Sequence, residues 1–129
     1  MSGFSPDLVT IAQTLVDICR TGQEMAGLDA LYHPDAVSVE AMAMPGQQSG
    51  AVTGVAAIKA KHDWWYSAFE VHAAAVEGPY LHGEDRFALI FEMDVTERAT
   101  GNRTHMREVA IYTVAAGKIT REEFFYAAP

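Results

Sequence analysis

The stretch "MREVAIYTVAAGKITREEFFY", residues 106–126, reads as two short strands, built largely to bury apolar side chains, around a Gly-containing turn. That is the pattern of a β-hairpin. Glu108 and Glu122 sit inside these strands, where a carboxylate is costly unless it is paired, neutralised or facing a wet hollow. Two registers are open. A two-residue turn at Ala116-Gly117 would put the two glutamates on opposite faces. A three-residue turn, Ala115 to Gly117, pairs Val114 with Lys118, Ala110 with Glu122 and Glu108 with Phe124. Glu108, Ala110, Tyr112, Glu122, Phe124 and Tyr126 then share one face. Gly117 falls where the second turn needs positive φ, and this register is preferred.

The hairpin upstream extends the same sheet. A four-residue turn at Ala99 to Asn102 pairs Arg98 with Arg103, Thr96 with His105 and Asp94 with Arg107, the last an opposite-charge pair. The other face then carries Phe87, Leu89, Phe91 and Met93 beside Glu108. An apolar wall should raise the pKa of Glu108, as is typical of general acids and bases. The face bearing Val109, Ile111, Ile119 and Phe125 is also apolar. One chain has too few helices to cover both faces, so a sheet-mediated homodimer is expected.

Further outward, strands are expected at about 70–82, 84–97, 103–114 and 118–126. Ser5-Pro6-Asp7 reads as a helix start, with Ser5 as N-cap, and Leu8, Ile11, Leu15 and Ile18 recur at helical spacing up to Gly22. A second helix covers Glu24 to Leu31, stopped by His33-Pro34. Residues 36–42 suit a strand and 44–54 a loop. Thr53 can cap a third helix to about Tyr66, with Ile58, His62 and Trp65 on one stripe. The class is α+β: three N-terminal helices packed on a strongly bent, mostly antiparallel sheet.

With 129 residues, half of them hydrophobic and a fifth charged, the chain fits one globular domain. A formal charge of −8 argues against nucleic acid or an anionic membrane as partner. No run approaches the roughly 20 apolar residues that span a bilayer, and the N-terminus lacks a basic leader, so the expected location is cytoplasmic. The single cysteine, Cys19, has no neighbouring His and reads as a small buried hydrophobe. His33, His62, His72, His82 and His105 lack close ligand spacing, so no metal is expected. Without a Gly-rich phosphate loop no cofactor is implied.

The order of elements, with "LDALYHPDAVSVEA" (28–41), "TGVAAIKAKHDWW" (53–65) and "GKITREEFFY" (117–126), resembles the nuclear-transport-factor-2-like superfamily and, within it, the SnoaL-like group. The resemblance covers nearly the whole chain, so residues 1–129 are read as one such domain. It implies a cone with a central pocket and a convex side that commonly dimerises. Members similar to ketosteroid isomerase place a carboxylate base where this chain has Glu40 and a pocket residue where it has His62. Glu122, Phe124 and Tyr126 would face the pocket from the last strand, with Trp65, Phe91 and Tyr112 as further ligand contacts. The isomerase's oxyanion-binding Tyr falls at Val16. Its partner acid falls near Ala110, leaving Glu108, two positions away, as a substitute. The Asp-Arg-Asp set of limonene epoxide hydrolases has no counterpart, whereas His62 and Tyr126 are compatible with chemistry like that of scytalone dehydratase.

Each candidate carries two readings. Glu40 is a general base or a solvated carboxylate at a strand end. His62 is a pocket acid–base group or a hydrogen-bonded core residue, and Trp65 is a ligand contact or core. Trp64 is expected to point away from the pocket. Glu108 and Glu122 share a proton, or are ion-paired with Arg or His62. Tyr126 donates to a developing oxyanion or closes the core. The catalytic set is then Glu40, His62 and Glu108, acting without cofactor on a small hydrophobic carbonyl or cyclic compound. Isomerisation, cyclisation, dehydration and hydrolysis are open. The alternatives are a non-catalytic ligand-binding or dimerisation module, and a structural protein with a filled cone.

Overall fold

The computed structural model describes residues 6–43 and 46–127. Its elements run α1 (Pro6–Thr21), α2 (Glu24–Leu31), β1 (Tyr32–Val39), β2 (Ala51–Thr53), α3 (Val55–Ala68), β3 (Phe69–His82), β4 (Arg86–Glu97), β5 (Arg103–Ala115) and β6 (Lys118–Phe125). All three expected helices are present, α2 at the expected residues. Ser5, the expected cap of α1, lies outside the described residues.

The six strands form one sheet in the order β2-β1-β6-β5-β4-β3. Every neighbouring pair is antiparallel except β1 and β6. That parallel pair ties the N-terminal half of the chain to the four-strand meander. The helices supply one apolar layer: Leu8, Ile11, Ala12, Leu15 and Val16 from α1, Leu28 and Leu31 from α2, and Ile58 from α3. They bury against Phe87, Leu89, Ala110, Tyr112, Val114 and Ile119 of the sheet, removing apolar surface from water on one face only.

Several expectations need correction. The first strand starts at Tyr32 rather than 36 and ends at Val39 rather than 42. Its pairing with β6 is irregular between Tyr32 and Val37, around Pro34, which has no N–H to give to the ladder. The expected loop 44–54 contains the short edge strand β2. Thr53 belongs to β2, and the N-cap of α3 is Gly54, at φ 97°, a conformation that a side chain disfavours.

The last turn has two residues, Ala116 and Gly117, both at positive φ (51° and 76°), and Ala115 pairs with Lys118. By itself this turn would separate Glu108 from Glu122. A register shift follows at once: Val114 pairs with Ile119, but Thr113 pairs with Arg121. The one-residue bulge restores the parity that the turn removed. Tyr112 therefore faces Glu122 and Ala110 faces Phe124, on the inner side. The same bulge carries Ile119, expected outside, into the core, where it is fully buried.

The β4–β5 hairpin is also shifted by two from the expected register. Asp94 pairs with His105 and Glu92 with Arg107. The opposite-charge pairing survives in other hands: Arg103 grips both oxygens of Asp94, at 2.9 and 2.7 Å, and Arg107 pairs with Glu92. Phe91 stands directly opposite Glu108, so the apolar wall expected beside that carboxylate is present.

Candidate functional site

Between α1, α2, α3 and the inner sheet face lies a cavity of about 180 Å³. Apolar and aromatic side chains line most of it, among them Leu15, Leu28, Phe91, Met93, Phe124 and Trp65. Set into this wall are Glu24, Glu40, Lys61, His62, Glu108 and Glu122. Few polar groups in an apolar hollow is the usual constitution of a small-molecule site.

The polar groups form a chain of hydrogen bonds drawn from three elements. β1 presents Ala36 and Ser38 on its inner face by the two-residue strand period, and Glu40 follows one step beyond the strand. The Glu40 backbone is held there by its N–H donating to the Gly50 carbonyl at 2.8 Å. A Cβ at Gly50 would come within 2.2 Å of the Glu40 carbonyl oxygen, so only glycine fits. α3 contributes Lys61, one turn after the buried Ile58 and itself only 9 % exposed. β6 contributes Glu122, 1 % exposed.

Glu122 is satisfied at both oxygens. Tyr32 donates to Oε1, and Ser38 donates to Oε2 at 2.6 Å. The Ser38 hydroxyl oxygen in turn accepts from Lys61 Nζ. Lys61 also donates to Glu40 Oε2 at 2.8 Å, and Tyr126 donates to Glu40 Oε1 at 3.0 Å. Lys61 Nζ lies 5.0 Å from the centre of the Phe124 ring, a cation–π contact. One buried ammonium thus bridges two acidic centres, which is the condition under which buried charges are tolerated.

Glu108 stands apart. It is half-buried opposite Phe91, and among the described residues no donor or cation pairs with its carboxylate. Burial, and then repulsion from Glu40, push its pKa up to about 7, with Lys61 opposing in part. A carboxyl group that titrates near neutrality on an apolar wall can both take and give a proton.

The tyrosines are firmly protonated. Burial and Glu122 push Tyr32 and Tyr112 well above the ordinary phenol range. Burial and Glu40 push Tyr126 up to about 12. Cys19 lines the cavity, but burial and the nearby Glu24 raise its thiol to about 12, so it is no nucleophile at neutral pH.

Of the residues singled out from the sequence, Glu40, His62, Trp65, Phe91, Glu108, Tyr112, Glu122 and Phe124 all line this cavity. Tyr126 lines an adjoining depression and reaches Glu40 from there. Trp64, expected to point away, lines the cavity with Trp65 and is 38 % exposed, so it stands where the hollow meets solvent. The proposed sharing of a proton by Glu108 and Glu122 is replaced by a different arrangement. Glu122 opposes Tyr112, four residues along β5, and is already held by Tyr32 and Ser38.

Sequence reasoning missed Lys61, Ser38 and Tyr32. Two of them carried a signal: Lys61 lies three residues after Ile58 on a helix, and Ser38 alternates with Ala36 on a strand. Tyr32 carried none, because the irregularity at Pro34 breaks the period that would have located it.

A half-open cone of three helices on a bent six-strand sheet, with an acid-lined apolar hollow, defines a class of small-molecule pocket domains. This chain belongs to the family of SnoaL-like domains, whose model matches residues 9–126. It is similar to a crystal structure from Mesorhizobium loti named as a candidate SnoaL-like polyketide cyclase [carbohydrate phosphatase]. The two share 40 % identity over 92 % of this chain and 98 % of that one, with a TM-score of 0.84. The same fold occurs in the Mycobacterium tuberculosis protein Rv0760c in complex with estradiol-17β-hemisuccinate (23 % identity, 95 % of each chain, TM-score 0.70). It occurs also in a computationally designed 17-OHP binder (20 % identity, 95 % of each chain, TM-score 0.70). No curated protein matches the chain. Among the described residues no helix is long and apolar enough to cross a membrane, and no group of His, Cys, Asp or Glu is placed to hold a metal ion.

Proposed function

We propose that this chain, working as a single domain, takes a small, mostly apolar cyclic compound into the cavity and moves a proton on it with Glu108. The observation that carries this reading is an unpaired carboxylate with a pKa of about 7 on the wall of a 180 Å³ hollow. Engineered apolar cavities of about 150 Å³ accept benzene, so this one suits a single or small fused ring. The estradiol-17β-hemisuccinate bound by Rv0760c supports the use of such a hollow for cyclic compounds.

In the proposed step Glu108, ionised, removes a proton from carbon next to a ligand carbonyl. The C–H pair becomes the C=C bond of an enolate, and the carbonyl pair moves onto oxygen. Where the ligand has a C=C bond β,γ to its carbonyl, the product is a dienolate, and return of the proton from Glu108 to its γ-carbon isomerises the ligand. Attack of the enolate carbon on a second carbonyl within it cyclises it, and the new alkoxide takes the proton back from Glu108. Glu40 is better read as the group that orients Lys61 and Tyr126 than as the base, because both of its oxygens are occupied. His62 lines the same wall within reach of a ligand.

The test is exchange of the α-protons of 1-indanone in D2O, followed by proton NMR. The wild-type protein should accelerate exchange above buffer, and the Glu108→Gln variant should lose that acceleration. Binding of indanone without any exchange would favour the second reading, a binding module without catalysis. The engagement of Glu40 and Glu122 within the fold is the feature consistent with that alternative. The outer face, where Val109 is 37 % and Phe125 49 % exposed, is the proposed seat of a second copy of the chain.

A further inference from the structure

We propose that Lys61 receives the ligand's oxygen, and that the compound taken up therefore carries a carbonyl or an enol- or phenol-type hydroxyl. The inference rests on the pocket reading above and adds the residue that binds the ligand's oxygen. An ammonium group has three N–H donors. Lys61 gives one to Glu40 and one to Ser38, and among the described residues no oxygen or nitrogen takes the third. The side chain lies on the cavity wall, against the Phe124 ring, so the third donor sits at the edge of the hollow.

The other candidate donors are spent or weaker. The Tyr32 hydroxyl is committed to Glu122 and that of Tyr126 to Glu40. Tyr112, stacked on Phe87 with ring centres 4.9 Å apart, and the indoles of Trp64 and Trp65 also line the cavity as donors but bring no positive charge, and His62 on the same wall is the remaining competitor. An oxygen that gains negative charge is held more strongly by a charge-bearing donor than by a neutral one. The placement of Lys61 also cannot drift. Glu40, Ser38 and, through Ser38, Glu122 fix the ammonium in place. A pre-set donor of this kind costs little reorganisation when charge develops.

The test compares 2-naphthol with 2-methylnaphthalene, which has the same ring system and lacks the oxygen. Affinities are read by calorimetry for wild type, Lys61→Met, Lys61→Arg and Tyr112→Phe. The naphthol affinity should fall by about tenfold or more in Lys61→Met, remain largely in Lys61→Arg, and the methylnaphthalene affinity should not fall. In wild-type protein the Lys61 ammonium nitrogen resonance should move with naphthol and stay still with methylnaphthalene, a readout that survives if the Met variant fails to fold. An unmoved Lys61 resonance, or a loss that appears only in Tyr112→Phe, overturns the assignment while leaving the pocket reading intact. If the wild-type protein binds neither compound nor indanone, both readings fall together.

Discussion

Replacing Glu108 by Gln should make this protein more stable in mild base and change little in mild acid. The folded carboxyl titrates at about 7 against 4.5 when solvated. The proton-binding difference makes the sign explicit. Between those two values the folded state holds a proton that the unfolded chain has lost, so stability falls as pH rises through this window. At about 1.4 kcal/mol per pH unit, the full penalty above pH 7 is about 3 kcal/mol. Gln keeps the shape and never ionises, so it avoids that penalty. At pH 4, below both values, the group at position 108 is mostly neutral in the folded and unfolded states of both proteins, and their stabilities should agree within about 0.5 kcal/mol. At pH 8.5 the variant should be more stable by 2 to 3 kcal/mol, a rise in Tm of about 10 °C for a chain of this size. Urea unfolding of both proteins at both pH values measures the difference directly, and titrations elsewhere cancel in the comparison. The same advantage at both pH values, or a less stable variant at pH 8.5, would refute the assignment of an unpaired, desolvated carboxylate.

Further outcomes follow from other parts of the structure. Tyr32→Phe removes one of the two donors to the buried Glu122 and should cost about 2 kcal/mol in urea unfolding, within the usual range for bonds to a charged group. Ala116→Asn places a residue tolerant of positive φ before Gly117, in the Asn-Gly form of a two-residue hairpin turn, and should stabilise by about 0.5 to 1 kcal/mol. Cys19, with its thiol at about 12, should resist a thiol-reactive dye at pH 8 in the folded protein and react fully in urea. Phe125→Lys on the exposed outer face should shift the sedimentation coefficient toward the monomer if a second copy covers that face, with the fold unchanged by circular dichroism.

The periodicities of the chain made the helices and the meander legible, because burial of one face is written directly into residue spacing. The faces of Glu108 and Glu122 were legible too, although the turn was not. The two-residue loop and the bulge at Thr120 offset each other, and the two-residue strand period records only their sum. The misplaced register hid one consequence. The expected register sets Glu122 beside Glu108, sharing a proton or paired with Arg or His62, whereas its two-step displacement sets it against Tyr32 and Ser38. Lys61 shares a helix face with Ile58, but its residue type points the other way. A lysine on a helix is ordinarily solvated, and only the carboxylates brought up by β1 and β6 make its burial tolerable. Partners from three separated segments cannot be read from the spacing within any one of them.

Glu108 stands unpaired on the wall of a hollow and exchanges its proton near neutral pH. Carbon-detected NMR titration of the glutamate side chains tests it most directly. The Glu108 carboxyl should show a midpoint close to 7 that moves when 2-naphthol or indanone occupies the cavity. A midpoint near 4.5 that ignores both compounds would contradict it.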